Sequence, residues 1–276
     1  MTLWVLRLIC LGGESVSRHI EAWMNGIKLS NLGFCPILIQ EVQESAPTQE
    51  TTYLARPVRP GQDVQKNRRT SLRVTIYVAI RELYNLQNRE VTMRMLTMWA
   101  SGGILELSYR PSQRLHVIGK ASPTLGNVRD YTSRIAIELE ANTIPYWEDT
   151  AVKRVTGTSI SGNRTLVVGG NASDIPVNIT FTPTSSEDKV NDLQVIVTCG
   201  GVTREIRLTG MDASGPIVFD RDDCDRLTIK SGSTSLLRYR TDTSSDDLTV
   251  PSGTATIIWQ ADVAGTIVCT ARGRWL

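Results

Sequence analysis

Histidine is nearly missing from this chain, with His19 and His116 alone among 276 residues. A Ser-His-Asp or Cys-His site must recruit one of those two, and no Cys/His group has the spacing of a zinc site. His116 alternates with Leu115 and Val117, which predicts a structural histidine on a strand rather than a general base. Cysteine is sparse too: Cys10, Cys35, Cys199, Cys224 and Cys269 lie far apart, odd in number and without a C-x-x-C pair. That pattern predicts reduced thiols in a protein folded in the cytosol and excludes a disulfide framework. A charge bias is also lacking. Thirty basic residues oppose 28 acidic ones, for a net charge of +2, so no global field draws the chain toward nucleic acid or an anionic membrane.

No apolar run is long enough to span a bilayer. The opening stretch, Met1 to Leu11, lacks a basic n-region and an A-x-A-like cleavage site, and reads as a strand or an extension. Met24-Asn-Gly offers an alternative start. Three N-x-S/T sequons, at Asn163, Asn171 and Asn178, read as Asn- and Thr-rich turns and strands. There is no G-x-x-x-x-G-K-[ST] and no strand-linked G-x-G-x-x-G, so the sequence predicts no cofactor, no metal and no enzyme.

What the chain does contain is alternation with a period of two. Leu72, Val74, Ile76, Val78 and Ile80 alternate with Arg73, Thr75, Tyr77 and Ala79, the pattern of a half-buried strand. Short runs of the same kind recur at 104–108, 115–118, 135–139, 177–181, 193–197, 204–208, 227–229, 255–259 and 267–269, separated by Gly, Pro, Asn, Asp or Ser clusters. The fold is expected to be mainly β. Asn25-Gly26 signals a hairpin, and Gly169-Gly170 and Gly200-Gly201 read as hairpin turns. One helix is predicted over 88–101, capped by Asn88 and stopped by Gly102-Gly103. Val91, Met95 and Met98 share a face there with Leu96 and Trp99 beside it, and the methionine stripe reads as core filler against a sheet.

Between the first hairpin and the strand at Leu72 runs a long polar segment, Gln43 to Thr70. A structureless loop of that length is uncommon in a compact domain, and two readings stand: a solvated loop, or an arm that reaches a neighbouring subunit. A domain boundary is expected where Ile144-Pro-Tyr-Trp-Glu-Asp149 closes the first β region, giving units 1–150 and 151–276.

The densest chemistry is Asp220-Arg-Asp-Asp-Cys-Asp225, set between Ile217-Val-Phe and Leu227-Thr-Ile. As a calcium loop it fails, because Asp225 stands where the loop needs glycine and Ser231 where it needs the bidentate glutamate. It reads as the polar turn between two antiparallel strands.

The order of features along the chain resembles the distal tail proteins of siphophages, the tail hub of long, non-contractile-tailed bacteriophages. The pieces that carry it are Trp23-Met-Asn-Gly-Ile-Lys-Leu-Ser30, Arg56-Pro-Val-Arg-Pro-Gly61, the strand Ser71 to Ile80, and the helix ending Met98-Trp-Ala-Ser-Gly-Gly103. Leu105-Glu-Leu-Ser-Tyr-Arg-Pro111, Ile135-Ala-Ile-Glu-Leu139 and Pro145-Tyr-Trp-Glu148 follow, and the second half adds Pro176-Val-Asn-Ile-Thr180, Ile206-Arg-Leu-Thr-Gly210 and Arg272-Gly-Arg-Trp-Leu276. The leading segment before residue 23 departs from the pattern.

The resemblance implies an N-terminal barrel or split-barrel domain with one helix, followed by a galectin-like β-sandwich. It further implies a hexameric ring at the distal end of the virion tail, assembled in the host cytoplasm. Its partners would be other copies of the chain, the tail tube protein, the tail-associated tip protein and receptor-binding proteins, without specific nucleic-acid binding or membrane insertion. On that reading Arg56, Arg59, Lys66, Arg68 and Arg69 of the arm, with Arg73 and Tyr77 of the following strand, are the expected interface residues. Keeping an exposed loop soluble is the competing role of those charges. Trp275 is expected to close the sandwich core. The rival reading is a carbohydrate-binding module, for which Tyr239, Trp259 and Trp275 are the available aromatics, with Trp259 expected to be buried in phase with Ala255 and Ile257.

Overall fold

A computed structural model describes residues 19–47, 49–55, 62–69, 71–80, 85–123, 134–185 and 187–276, with the backbone alone given for 49–55, 62–69, 86 and 134. The protein is mainly β, and its chain divides into two compact units, Met1–Pro145 and Tyr146–Leu276.

The first unit contains β1 (Ala22–Met24), β2 (Ile27–Lys28), β3 (Ile37–Ser45), β4 (Gln49–Ala55), β5 (Gln62–Arg69), β6 (Arg73–Ile80), the helix α1 (Leu86–Trp99), β7 (Gly102–Leu107), β8 (Gln113–Gly119) and β9 (Arg134–Ala141). Hydrogen bonding orders one sheet as β2-β1-β7-β8-β9-β6-β3. The period-two expectation for β6 holds: Leu72, Val74, Ile76, Val78 and Ile80 are all buried. They pack with Ile135, Ile137 and Leu139 of β9. Asn25 and Gly26 take positive φ values of 53° and 78° and turn β1 into β2, as a tight hairpin requires.

Within the long polar segment read as a solvated loop or an arm, most of the described residues form strands. Gln43 to Ser45 finish β3, and β4 pairs with β5 as a separate antiparallel hairpin. Polar composition hides those strands, because neither alternates between apolar and polar residues along its length.

Helix α1 begins earlier than expected, with Asn85 as its cap: the Asn85 side chain accepts a hydrogen bond from the Asn88 backbone N–H at 3.1 Å. Among its described side chains Thr92, Leu96 and Trp99 are buried, whereas Met95 and Met98 are 41% and 76% exposed. The methionine stripe is therefore not core. Composition conceals the inward face because a threonine lies at its centre. Thr92 Oγ1 donates to the Asn88 carbonyl and accepts from the backbone N–H groups of Phe34 and Cys35, so a buried hydroxyl is fully satisfied. Gly33 is required beside it, since its φ is +67° and an added Cβ would stand 2.4 Å from that hydroxyl.

The second unit contains β10 (Trp147–Asp149), β11 (Lys153–Val168), β12 (Ile175–Pro183), β13 (Leu193–Cys199), β14 (Val202–Leu208), β15 (Ile217–Arg221), β16 (Leu227–Ser231), β17 (Thr234–Ser235), β18 (Thr249–Val250), β19 (Gly253–Ala271) and β20 (Arg274–Trp275). Its spine is β19, where the sequence pattern suggests two separate strands. One side of β19 pairs with β11 along both halves; the other pairs with β13 through residues 256–261 and with β12 through residues 265–271. The register shift between Ser159 and Ser161 marks the bend between the halves. Phe181, Val195, Phe219, Ile257, Trp259 and Ile267 fill the core between them. Gly200-Gly201 does turn β13 into β14. Gly169-Gly170 is not a hairpin turn: Gly170 bridges to Arg274, whose carbonyl oxygen an added Cβ would meet at 2.1 Å.

Candidate interaction surfaces

Among the residues expected at an interface, Arg56 and Arg59 lie outside the described residues. Lys66, Arg68 and Arg69 all fall on β5, in register with Thr52, Glu50 and Gln49 of β4. Arg73 and Tyr77 lie on β6, which is paired on both edges, by β3 and β9. Arg73 stands with its Nε 3.9 Å from Glu140 Oε2, and the Tyr77 hydroxyl is 3.5 Å from Gln43 Oε1. Because β6 has no open edge, these two side chains offer a contact through the sheet face, not through strand addition. The structure thus puts three of the basic residues on the hairpin and the other two residues on the neighbouring sheet.

A second surface of the first unit leaves little trace in the sequence. Phe34 is 69% exposed and Ile27 56%. Each is tied to the helix: Phe34 N–H donates to Thr92, and Trp99 Nε1 donates to the Ile27 carbonyl at 2.9 Å. Met95 lies three residues after Thr92 and four before Trp99, on the side of the helix that joins the two contacts. Met98 follows one turn later. Ile27, Phe34, Met95 and Met98 are thus four exposed large apolar side chains on the helix or on segments bonded to it. The signal for this surface in the sequence is the Met-x-x-Met spacing, which periodicity alone assigns to the core side of the helix.

A third feature fastens the β7–β8 turn to the end of β3. Arg110 holds Glu44 through two bonds of 3.0 and 2.8 Å, and the Tyr109 hydroxyl donates to the same carboxylate at 2.5 Å. Burial and then the Glu44 charge push the Tyr109 hydroxyl well above its ordinary range.

In the second unit the Asp-rich stretch is the turn between β15 and β16, as expected, but it also bonds well beyond itself. Asp222 accepts from the backbone N–H groups of Arg226 and Cys224, which lowers its carboxyl below the usual range. Asp220 accepts from the Asn178 side chain, and Arg221 pairs with Asp247. Asp225 takes a positive φ of 59° and binds Arg274. Arg274 is 2% exposed and lies over the Tyr146 ring; it faces Asp225, Glu148 at 3.5 Å and the Asp174 carbonyl. Burial works against its charge, and the bonds to Asp225 outweigh it, so its pKa rises. The terminal strand pairs with β10 and is tied to the second unit by the Gly170 bridge and by Asp225, but the residue it buries is Arg274. Trp275 is half-buried and donates from Nε1 to Asp149 at 2.7 Å.

The aromatics of the carbohydrate-binding rival offer little platform. Trp259 is buried with Ala255 and Ile257 beside it, as expected, and Tyr239 lies under Arg238. No group of His, Cys, Asp and Glu able to hold a metal occurs among the described residues.

No protein-family model matches the chain, and no curated protein matches it either. Solved structures do. The Dit protein (gp 19.1) of phage SPP1, described as a paradigm of the hub adsorption apparatus in phages that infect Gram-positive bacteria, aligns over 92% of this chain and 98% of its own, with a TM-score of 0.61 and 13% identity. The chain shares the fold of SPP1 Dit. A chain of the activated phage P2 baseplate with Ca covers 92% and 97% at a TM-score of 0.43 and 8% identity, and one from the Sr form 91% and 97% at 0.40 and 9%.

Proposed function

We propose that the protein is a structural hub of a bacteriophage tail tip, a distal tail protein rather than an enzyme. The observation that carries this reading is the agreement of fold with SPP1 Dit across 92% of the chain at 13% identity. Fold retained at that identity fits a protein whose shape and contacts are its activity. On this reading residues 1–150 form the ring, which needs a heterologous contact that closes on itself, and residues 151–276 form a peripheral galectin-like sandwich. The ring is hexameric and joins the tail tube protein to the tail-associated tip protein, with receptor-binding proteins attached outside.

Two surfaces of the first unit support a heterologous contact. The hairpin β4–β5 pairs with no further strand among the described residues, and a lone two-stranded hairpin is marginally stable in water. The apolar group of Ile27, Phe34, Met95 and Met98 is open to solvent. Burying one against its counterpart on the next copy satisfies both, with Lys66, Arg68, Arg69, Arg73 and Tyr77 around the contact. Light scattering of the purified protein, followed by negative-stain imaging, tests the proposal. A ring-shaped hexamer is the expected result; a monomer that stays monomeric when mixed with the tail tube and tip proteins of its phage would overturn it.

A further inference from the structure

The outer face of the second unit carries a depression of about 390 Å³, and its lining has an organised chemistry. Three strands run side by side there in the order β13-β19-β11, and their register sets two rows across them. Gln194, Gln260 and Ser161 form one row; Ile196, Ile258 and Asn163 form the next. Ile258 is 43% exposed. Gly162 and Trp259, whose ring turns to the inner face, lie between the two rows.

The polar groups are poised. Gln194 donates from Nε2 to Glu205 Oε1 at 2.6 Å, which orients its carboxamide and leaves Oε1 as an acceptor. Among the described residues the carboxamides of Asn163 and Gln260 make no hydrogen bond, and Asn163 is engaged only through its backbone. The lining residues are all uncharged, and the nearest charges are already engaged: Glu205 accepts from Gln194, and Arg164 donates to the Asn163 carbonyl beside the Trp259 ring. Carboxamides offer a donor and an acceptor side by side, as each hydroxyl of a sugar ring does. Isoleucine methyl groups beside them suit the C–H faces of the same ring. The volume falls within the range of small-molecule sites, which combine apolar walls with a few placed polar groups, and side chains on paired strands are held more firmly than on loops.

From these observations we infer that the depression over β13, β19 and β11 binds a neutral saccharide, with Gln194, Gln260 and Asn163 as its hydrogen-bonding residues. An extended peptide is the competing occupant, and Arg164 stands against it. Its guanidinium already occupies the carbonyls of Thr156 and Asn163 on β11, the strand a peptide would pair with. The inference does not rest on the hub reading, since it concerns one unit of one copy.

The test is a titration of the full chain with lactose, maltotriose and triacetylchitotriose, followed by NMR of backbone and side-chain amides. A hexapeptide of threonine and glycine and a sulfated disaccharide serve as controls. The expected result is saturable shifts confined to Asn163, Gln194, Ile196, Ile258 and Gln260 with at least one neutral sugar. Gln260→Ala and Asn163→Ala, both away from the core, should each weaken that binding about fivefold, the loss of one hydrogen bond, at unchanged melting temperature. Shifts at these amides with the peptide alone, equal shifts with the sulfated sugar, or no saturable shift with any neutral sugar would each overturn the assignment.

Discussion

Arg274 and Asp225 lie 49 residues apart and meet through two hydrogen bonds of 2.7 and 2.8 Å in an enclosed site, tying the last strand of the chain to the β15–β16 turn. Removing the guanidinium leaves Asp225 and Glu148 facing each other without a cation. Arg274→Ala should therefore destabilise the second unit by roughly 3–5 kcal/mol, the cost of breaking a buried pair, read as a shift of the urea midpoint. Arg274→Lys should recover only part of it, because an ammonium cannot make the two parallel bonds. A loss below about 1 kcal/mol for Arg274→Ala, within the range of exposed pairs, would show the network to be marginal.

The apolar group on the first unit makes a different prediction. Met98 and Phe34 are both largely exposed, so Met98→Asp and Phe34→Ser should change folding stability by no more than about 0.5 kcal/mol, as surface substitutions do. In the proposed ring they lie in a contact, and both should shift the assembly toward monomer in light scattering. An unchanged particle mass would place the contact elsewhere.

Much of this fold is readable from pattern, and the misreadings share a cause. Alternation reveals β6, β9, β13 and β14 because one face of each is buried against a core. Hairpin β4–β5 escapes it because neither strand alternates between apolar and polar along its length. The methionines mislead because Thr92, a polar residue by composition, is fully buried and Met98 is not. Burial there is decided by hydrogen bonds from a loop 57 and 58 residues away, and no local window contains them. The expected interface residues come from resemblance, whereas Phe34 and the saccharide groove depend on register and contacts across segments distant in sequence.

Alkaline pH should act most strongly through two groups, Cys269 and Tyr109, beside the Cys199 thiol that burial also raises. Cys269 is buried in β19, and burial pushes its thiol from 9.0 up to about 12. The Tyr109 hydroxyl is raised from 10.0, by burial first and by Glu44 second. Both native pKa values exceed the unfolded ones, so the stability they carry is complete below pH 9 and is lost as pH climbs through 9 to 12. Each tenfold change in proton affinity between the folded and unfolded chain is worth about 1.4 kcal/mol, giving up to roughly 4 kcal/mol for Cys269. Urea midpoints between pH 8 and the onset of alkaline unfolding should fall less steeply in Cys269→Ala, and less again with Tyr109→Phe; parallel curves for all three proteins would refute the assignment.

Trp259 supplies the last prediction. Its ring lies against both Gly157 and Gly162 of β11, where an added Cβ would stand 2.4 and 2.6 Å from the ring. Residues five apart face opposite sides of a regular strand. Here the register shift between Ser159 and Ser161 returns both to the inner face, so the bend and the two glycines make one seat for one indole. Gly162→Ala should cost roughly 1–3 kcal/mol through overpacking. Combined with Trp259→Leu, which removes the obstructing ring, the same change should cost much less than it does alone, giving a coupling in the double-mutant cycle. Additive losses would mean that Gly162 is needed for its backbone and not for the space it leaves.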